Sequence, residues 1–386
     1  MPVSLLRSLV QRERLVRTAT ELIAAHSPTG SAGEALDRAA AMLLAEGFSV
    51  QREPAGHSAA AVICRLESGS AGRTLQFNGH LDTVHLPFAA PAVQVDLITG
   101  SGASDMKGGT AAAIEALRLL RDSGLFKQGS VMLTLHDLHE APWGFGEQLH
   151  RLIELGIVGD AVLLPEPLCD RLPLIGRGAA TWRTILSRTG PPVHEVMRPQ
   201  DEPSVIAAAA KLVCRLEELE RRIGQVRDPL AGPESVFIGQ LHSGEIYNQY
   251  PSECMLEGTR RWLPSSDSAA VEAELRGIID QVAQETGARA STEFRVIRHA
   301  FKIEPADPLV RSFQKAHVEL TGAELPGGPK PFVDDGNSFY GLAGIPAITH
   351  GPRAGGQHTV SEWVSTQDMV RVAVLYALIA LDYCAG

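Results

Sequence analysis

Five side chains, far apart in this 386-residue chain, are of the types that hold divalent cations: His80, Asp105, Glu140, Glu166 and His358. His80 stands in Phe77-Asn78-Gly79-His80-Leu81-Asp82-Thr83, directly after an apolar run that reads as a strand. Asp82 is placed to accept a hydrogen bond from the second ring nitrogen of His80 and fix its tautomer. Taken alone, the pair equally suits a surface loop or a structural His–Asp contact. Asp105 opens an Ala- and Leu-rich segment in Gly102-Ala103-Ser104-Asp105-Met106-Lys107-Gly108-Gly109, where an N-cap is the ordinary role for aspartate. Two glycines in a first helical turn cost about 1 kcal/mol each. Close approach to a crowded site would explain them, and a carboxylate there could bridge two cations. Glu140 and Glu166 each follow a strand-like run, Glu166 between Pro165 and Pro167, and His358 follows another in a glycine-rich loop. Each also reads as an ordinary loop residue; the signal lies in the ensemble.

The elements that would position these residues are short apolar strands alternating with amphipathic helices. That is the pattern of an α/β sheet with helices on its faces. Helices are expected over 9–25, 33–46 and 106–123, and strands over 59–66, 74–78, 131–136 and 161–165. In a doubly wound sheet, sites form in the crevice beyond the carboxyl ends of the strands, which is where the candidates fall. Near Gly176 the texture changes to strand 181–188, helix 203–222, strands 236–241 and 254–262, helix 268–286 and strand 291–296. Two strand–helix–strand units with a central antiparallel pair suggest an inserted α+β sandwich. The α/β texture returns near Pro305 and ends in a helix over 366–383. The expectation is a discontinuous catalytic domain of residues 1–177 and 298–386, carrying a second domain of residues 178–297.

Composition narrows the partners. With 35 basic and 45 acidic residues the formal charge is −10, and no basic cluster offers itself to a nucleic acid. Arg7, Arg12, Glu13, Arg14 and Arg17 interrupt the first residues, so no secretory leader is expected, and no run is long enough to cross a bilayer. Cys64, Cys169, Cys214, Cys254 and Cys384 are scattered and odd in number, which suits reduced packing cysteines in the cytoplasm.

The ordered motifs GHLDT, SDMKGG, a segment ending in Glu140, PEP and a late GxxHT resemble those of the co-catalytic zinc exopeptidase family. That family includes acetylornithine deacetylase, succinyl-diaminopimelate desuccinylase, aminoacylase-1 and glutamate carboxypeptidase. The resemblance covers nearly the whole chain. It implies a zinc-exopeptidase-like mixed sheet flanked by helices, with residues 178–297 as a lid and dimerisation domain. It implies that Asp105 bridges two divalent metal ions, Zn²⁺ first, with Mn²⁺ or Co²⁺ as alternatives. His80 and Glu166 would complete one site, Glu140 and His358 the other, with the catalytic Asp82 behind His80. His194 resembles a histidine that reaches a partner subunit's active site, which implies a homodimer. Asn248 and Arg261 resemble positions that hold the carbonyl and carboxylate of a small-molecule substrate. Arginine is independently suited to a carboxylate, which it clamps with two parallel hydrogen bonds.

One position departs from the family's pattern. The residue before the Glu140 position is there a glutamate general base; here it is His139, in His136-Asp137-Leu138-His139-Glu140. The leading expectation is a metal-dependent hydrolase that cleaves the amide bond of an N-acyl amino acid or dipeptide-like substrate through a metal-bridged water. His139 would be the base, helped by His136 or Asp137. Two alternatives stand beside it: a catalytically impaired metal-binding homologue with a binding or regulatory role, and an aminohydrolase acting on a non-peptide C–N bond. Asp334 and Asp335, before Gly336-Asn337, read as pocket-lining or turn-shaping residues and are left outside the site. Trp143 and Phe145, just beyond Glu140, could line an aromatic pocket, but packing is the commoner role of large aromatics.

Overall fold

The strand Thr74–His80 is buried along nearly its whole length, so it needs a neighbouring strand on each edge and a helical layer on each face. In the computed structural model, which describes residues 2–386, it has them. Met1, where the leader and first-domain readings begin, lies outside the described residues. Thr74–His80 pairs in parallel with Ser130–His136 on one side and Ala161–Leu164 on the other. Ala347–Thr349 extends the sheet in parallel beyond Ala161–Leu164, and Ala61–Glu67 and Ser49–Glu53 close the far edge antiparallel. The result is a six-stranded mixed sheet whose four parallel strands end on one edge.

The helix Thr366–Tyr383 packs on Gly108–Ser123 and Pro308–Thr321. Its Tyr376 stacks on Phe77 of the central strand with ring centroids 5.4 Å apart. Fully burying such an aromatic contributes about 2 kcal/mol. A second helix pair, Glu147–Glu154 and Asp335–Ala343, shares an apolar cluster of Leu149, Phe339, Val162 and Leu164 with the sheet. Within the sheet runs a polar ladder. Gln76 Nε2 donates to Thr134 Oγ1 (2.7 Å), and Thr134 Oγ1 donates to Asn78 Oδ1 (2.8 Å). Buried polar groups are tolerated only when bonded in this way.

The chain divides into two compact units. The first holds the residues up to Leu174, with Ile303–Gly328 and Asp334–Gly386; the second holds Ile175–Lys302 and Pro329–Val333. The second unit is a four-stranded antiparallel sheet in the order Ser235–Ser243, Glu253–Trp262, Gly178–Ser187, Arg289–Arg298. Helices Val205–Ile223 and Ser268–Thr286 cover it, burying Trp182, Leu186, Leu212, Leu216, Leu275 and Ile279. The return of Pro329–Val333 to this unit has no mark in the sequence texture. No helix among the described residues is long and apolar enough to cross a membrane.

The long strands and helices fall within a few residues of their expected bounds, with three differences. The helix expected over 9–25 is Arg12–Ala24, and a separate helix, Pro2–Leu9, precedes it. The helix expected from Met106 begins as a regular α-helix only at Gly108, because Asp105 takes non-helical φ −121°, ψ 95°. Asp105 is therefore not the N-cap of that helix. Helices Glu147–Glu154, Pro308–Thr321 and Asp335–Ala343 are additional to those expected; Asp307 caps the second and Asp334 the third by side-chain hydrogen bonds to backbone N–H groups.

Candidate metal centre

All the ligand candidates belong to the first unit, at the carboxyl edge of its parallel strands. His80 is the last residue of its strand, Glu166 follows the strand ending at Leu164, and Glu140 follows the strand ending at His136. The turn that delivers Glu140 uses a left-handed residue, Leu138 (φ 67°), and His358 is itself left-handed (φ 57°). Such conformations cost non-glycine residues about 1–2 kcal/mol and gather where a site needs them. Gly109 is required by contact: a Cβ there would collide with the carbonyl oxygen of Pro165, next to Glu166. The helix behind Asp105 is thus pressed against the loop carrying Glu166, which accounts for Gly109, while a Cβ at Gly108 would meet the carbonyl oxygen of Ala103 and the side chain of Val364.

Asp105 lies between two histidines. Its Oδ1 is 3.2 Å from His80 Nε2 and its Oδ2 is 3.3 Å from His358 Nε2. Glu166 Oε1 approaches His80 Nε2 at 3.8 Å, and Glu140 Oε2 approaches His358 Nε2 at 3.3 Å. His80, Asp105 and Glu140 each bring a donor atom within 4.8 Å of the others, as do His80, His139 and Glu166. The structure thus brings His80, Asp105, Glu140, Glu166, His358 and His139 together.

The electrostatics show what this cluster lacks. Burial, followed by the charge of Asp105, pushes the Glu166 carboxyl well above its ordinary value. Burial would lower His80, but its hydrogen bond to Asp105 and the charges of Asp82, Asp105 and Glu166 outweigh that and raise it well above neutral imidazole. Hydrogen bonds to Asp105 and Glu140 raise His358 to about 10. Burial and the charge of Asp105 raise Glu362 to about 7, although its Oε2 accepts from Ser104 N and Asp105 N, both at 3.1 Å. Asp82 Oδ1 is buried without a hydrogen-bond partner. Converging carboxylates that hold histidines protonated are what divalent cations relieve, and the mixed N and O donor set suits them.

Asp82 does more than the expected tautomer bond. His80 Nδ1 donates to the backbone carbonyl of Asp82 at 3.1 Å, and the carboxylate is farther away, at 3.6 Å. The other carboxylate oxygen, Oδ2, accepts from His139 N (3.0 Å) and Glu140 N (3.1 Å), tying the two loops together.

The His139 ring stacks on His80, with centroids 3.9 Å apart and planes within 3°. Its Nδ1 donates to Asp335 Oδ1 at 2.8 Å, and His136 Nε2 donates to Asp335 Oδ2 at 2.8 Å. Burial would raise the Asp335 carboxyl, but the charges and hydrogen bonds of His139 and His136 hold it well below the carboxylate range. Asp335, set aside in the sequence, is therefore a full member of the cluster. Asp137, considered there as a helper of His139, instead accepts from Gly30 N and Ala32 N and anchors that loop. Glu362 was also missed, and nothing local in its sequence marks it. Trp143 is 43% exposed and stacks on His85 (4.3 Å) instead of packing in the core.

The remaining candidates lie in the second unit. Asn248 Nδ2 donates to His194 Nε2 at 2.9 Å, both residues outside the core. Arg261 is partly buried, and burial together with the charge of Arg177 lowers its pKa. Its neighbour Arg260 is instead buried against Glu234 at 2.8 Å.

The sequence pattern of Peptidase family M20/M25/M40 matches residues 76–382, and the chain belongs to that family. It is similar to a succinyl-diaminopimelate desuccinylase of Dinoroseobacter shibae, 26% identical over 96% of this chain and 99% of that one. It is also similar to an N-formyl-4-amino-5-aminomethyl-2-methylpyrimidine deformylase of Bacillus subtilis, 25% identical over 96% of this chain and 94% of that one. The fold is shared with the aminopeptidase PepT of Bacillus cereus, with a TM-score of 0.81, 21% identity, and 98% and 100% of the two chains covered. A metallo-carboxypeptidase of Sulfolobus solfataricus superposes with a TM-score of 0.75 at 15% identity, over 96% of this chain and 99% of that one. The protein is thus a metal-dependent hydrolase of amide bonds with a binuclear site for divalent cations.

Proposed function

We propose that this hydrolase cleaves an N-acyl amino acid or dipeptide-like substrate that carries a carboxylate, with His139 moving the proton. The observation that carries the reading is the placement of Asp105, one oxygen toward His80 and the other toward His358. His80, Asp105 and Glu166 would hold one cation, and His358, Asp105 and Glu140 the other. Zn²⁺ is the first choice for these ligands, with Mn²⁺ or Co²⁺ as substitutes. When bound, the two cations supply Lewis acidity toward the scissile carbonyl and acidify the attacking water.

His139 takes one proton from that water as its oxygen bonds to the carbonyl carbon, then gives it to the amine nitrogen as the C–N bond breaks. Asp82 supports both partners, through the backbone carbonyl that orients His80 and through the carboxylate that holds His139 and Glu140 in place.

In the second unit, read as lid and dimerisation domain, Arg261 is assigned to the substrate carboxylate. Its position beside Arg177, where burial already strains the charge, favours an anionic ligand. His194 and Asn248 are assigned to the substrate carbonyl, and the family resemblance is what supports the homodimer. Five free cysteines suit a reducing compartment, and we place the protein in the cytoplasm.

The test is turnover by the zinc- or manganese-loaded protein on a panel of N-acetyl, N-formyl and N-succinyl amino acids and dipeptides. Hydrolysis of one substrate class is expected. Two bound metals with no turnover on any of them would contradict the proposal in favour of a binding protein.

A further inference from the structure

We propose that Asp335 is the positioning residue for His139, holding the imidazole by Nδ1 so that Nε2 is the nitrogen that exchanges the proton. This rests on the reading of His139 as proton carrier and adds the device that makes a histidine work there. Asp335 sits in the first turn of the helix Asp335–Ala343, fully buried, and both of its oxygens are engaged. Oδ1 accepts from His139 Nδ1 (2.8 Å), and Oδ2 accepts from His136 Nε2 (2.8 Å) and Asn78 Nδ2 (3.0 Å). Asn78 is itself fixed, because its Oδ1 accepts from Thr134 within the sheet. The carboxylate therefore cannot turn without breaking a buried network.

Both nitrogens of His136 face acceptors, Asp335 Oδ2 and the carbonyl of Asp137 (3.1 Å). The bond from His139 Nδ1 to Asp335 Oδ1 places a proton on Nδ1, so the nitrogen left to accept and return a proton is Nε2. The ring plane is set by the stack on His80, and the backbone by the bond from His139 N to Asp82 Oδ2 (3.0 Å). Plane, tautomer and backbone are fixed by three separate elements, as a base acting at one defined atom requires.

The first test is the tautomer of His139 in ¹⁵N-histidine long-range correlation spectra of the metal-free and metal-loaded protein, assigned with His139→Ala. The Nδ1–H form is expected; the Nε2–H form in the wild-type protein would overturn the proposal. In the second test, Asp335→Asn should mix the two tautomers and lower kcat about ten- to a hundredfold with KM little changed and both metals retained. If Asp335→Asn does not fold alone, the same change is read in a His139→Glu background. There it removes a carboxylate facing a carboxylate and should raise kcat or the thermal midpoint; a fall in both would overturn the proposal. Unchanged tautomer and kcat in Asp335→Asn, with kcat lost in His139→Ala, would refute the positioning role alone. Full kcat in His139→Ala would refute the proton-carrier reading itself.

Discussion

His80 and His139 stack ring on ring, with their planes parallel within 3° and their centroids 3.9 Å apart. An imidazole binds a metal through a lone pair in its own plane, so two parallel rings stacked in this way cannot share one ion. His80 is bonded to Asp105 and close to Glu166, which favours it as the ligand of the proposed site, while His139 is bonded to Asp335.

The stack separates binding from turnover. His139→Ala should retain two metals per chain by elemental analysis while kcat falls about 10²- to 10⁴-fold, the usual contribution of a general base. His139→Glu should keep or raise activity. Loss of a metal in His139→Ala would make that histidine a ligand.

Asp105→Ala removes the one carboxylate that faces both histidines. Metal content should fall below two per chain, with affinity lost at both sites and not at one. Titration calorimetry that still finds two sites of wild-type affinity would contradict the bridging role.

Metal binding should take up sites held by protons. His358 is raised to about 10 and His80 also lies well above its ordinary value, so both must lose a proton to become ligands. Apparent affinity should weaken as pH falls and strengthen as it rises through neutrality, and binding in weak buffer should release protons to an indicator dye. An affinity that stays flat between about pH 6 and pH 8 would contradict this.

Glu362 gives a stability signature in the metal-free protein. Its folded value, about 7, lies above the unfolded value of a glutamate, so the fold binds its proton more tightly. That contribution is complete below the unfolded pKa of about 4.3 and is lost as pH rises through about 7, with a slope of at most about 1.4 kcal/mol per pH unit. Glu362→Gln should remove the slope, so the variant gains on the wild type in thermal midpoint from about pH 5 to about pH 8. A difference that does not vary with pH would show that Glu362 is ionised freely.

His80, Glu140 and Glu166 could be singled out as candidates because each stands at or just after the end of a strand with a strong local signal, and Asp105 and His358 because motif order carries information that no single residue has. The parallel sheet and the inserted unit were legible for the same reason: long runs with clear periodicity, such as Ser268–Thr286, fix their own bounds. Asp335 was not legible. Asp334-Asp335-Gly336-Asn337 has turn chemistry, and only the folded sheet brings its second aspartate to His136 and His139. Asp82 was half legible: its place behind His80 follows from the spacing, but its bonds to His139 and Glu140 depend on a loop more than fifty residues away. The kinked entry at Asp105 was hidden because the Ala-rich sequence after it favours a regular helix.

The central claim is met most directly by anomalous diffraction from crystals soaked in Mn²⁺ or Zn²⁺. Two peaks about 3.5–4 Å apart are expected, one on each side of the Asp105 carboxylate. The first should touch His80 and Glu166, the second Glu140 and His358. A single peak, or peaks that leave Asp105 uncoordinated, would contradict the account.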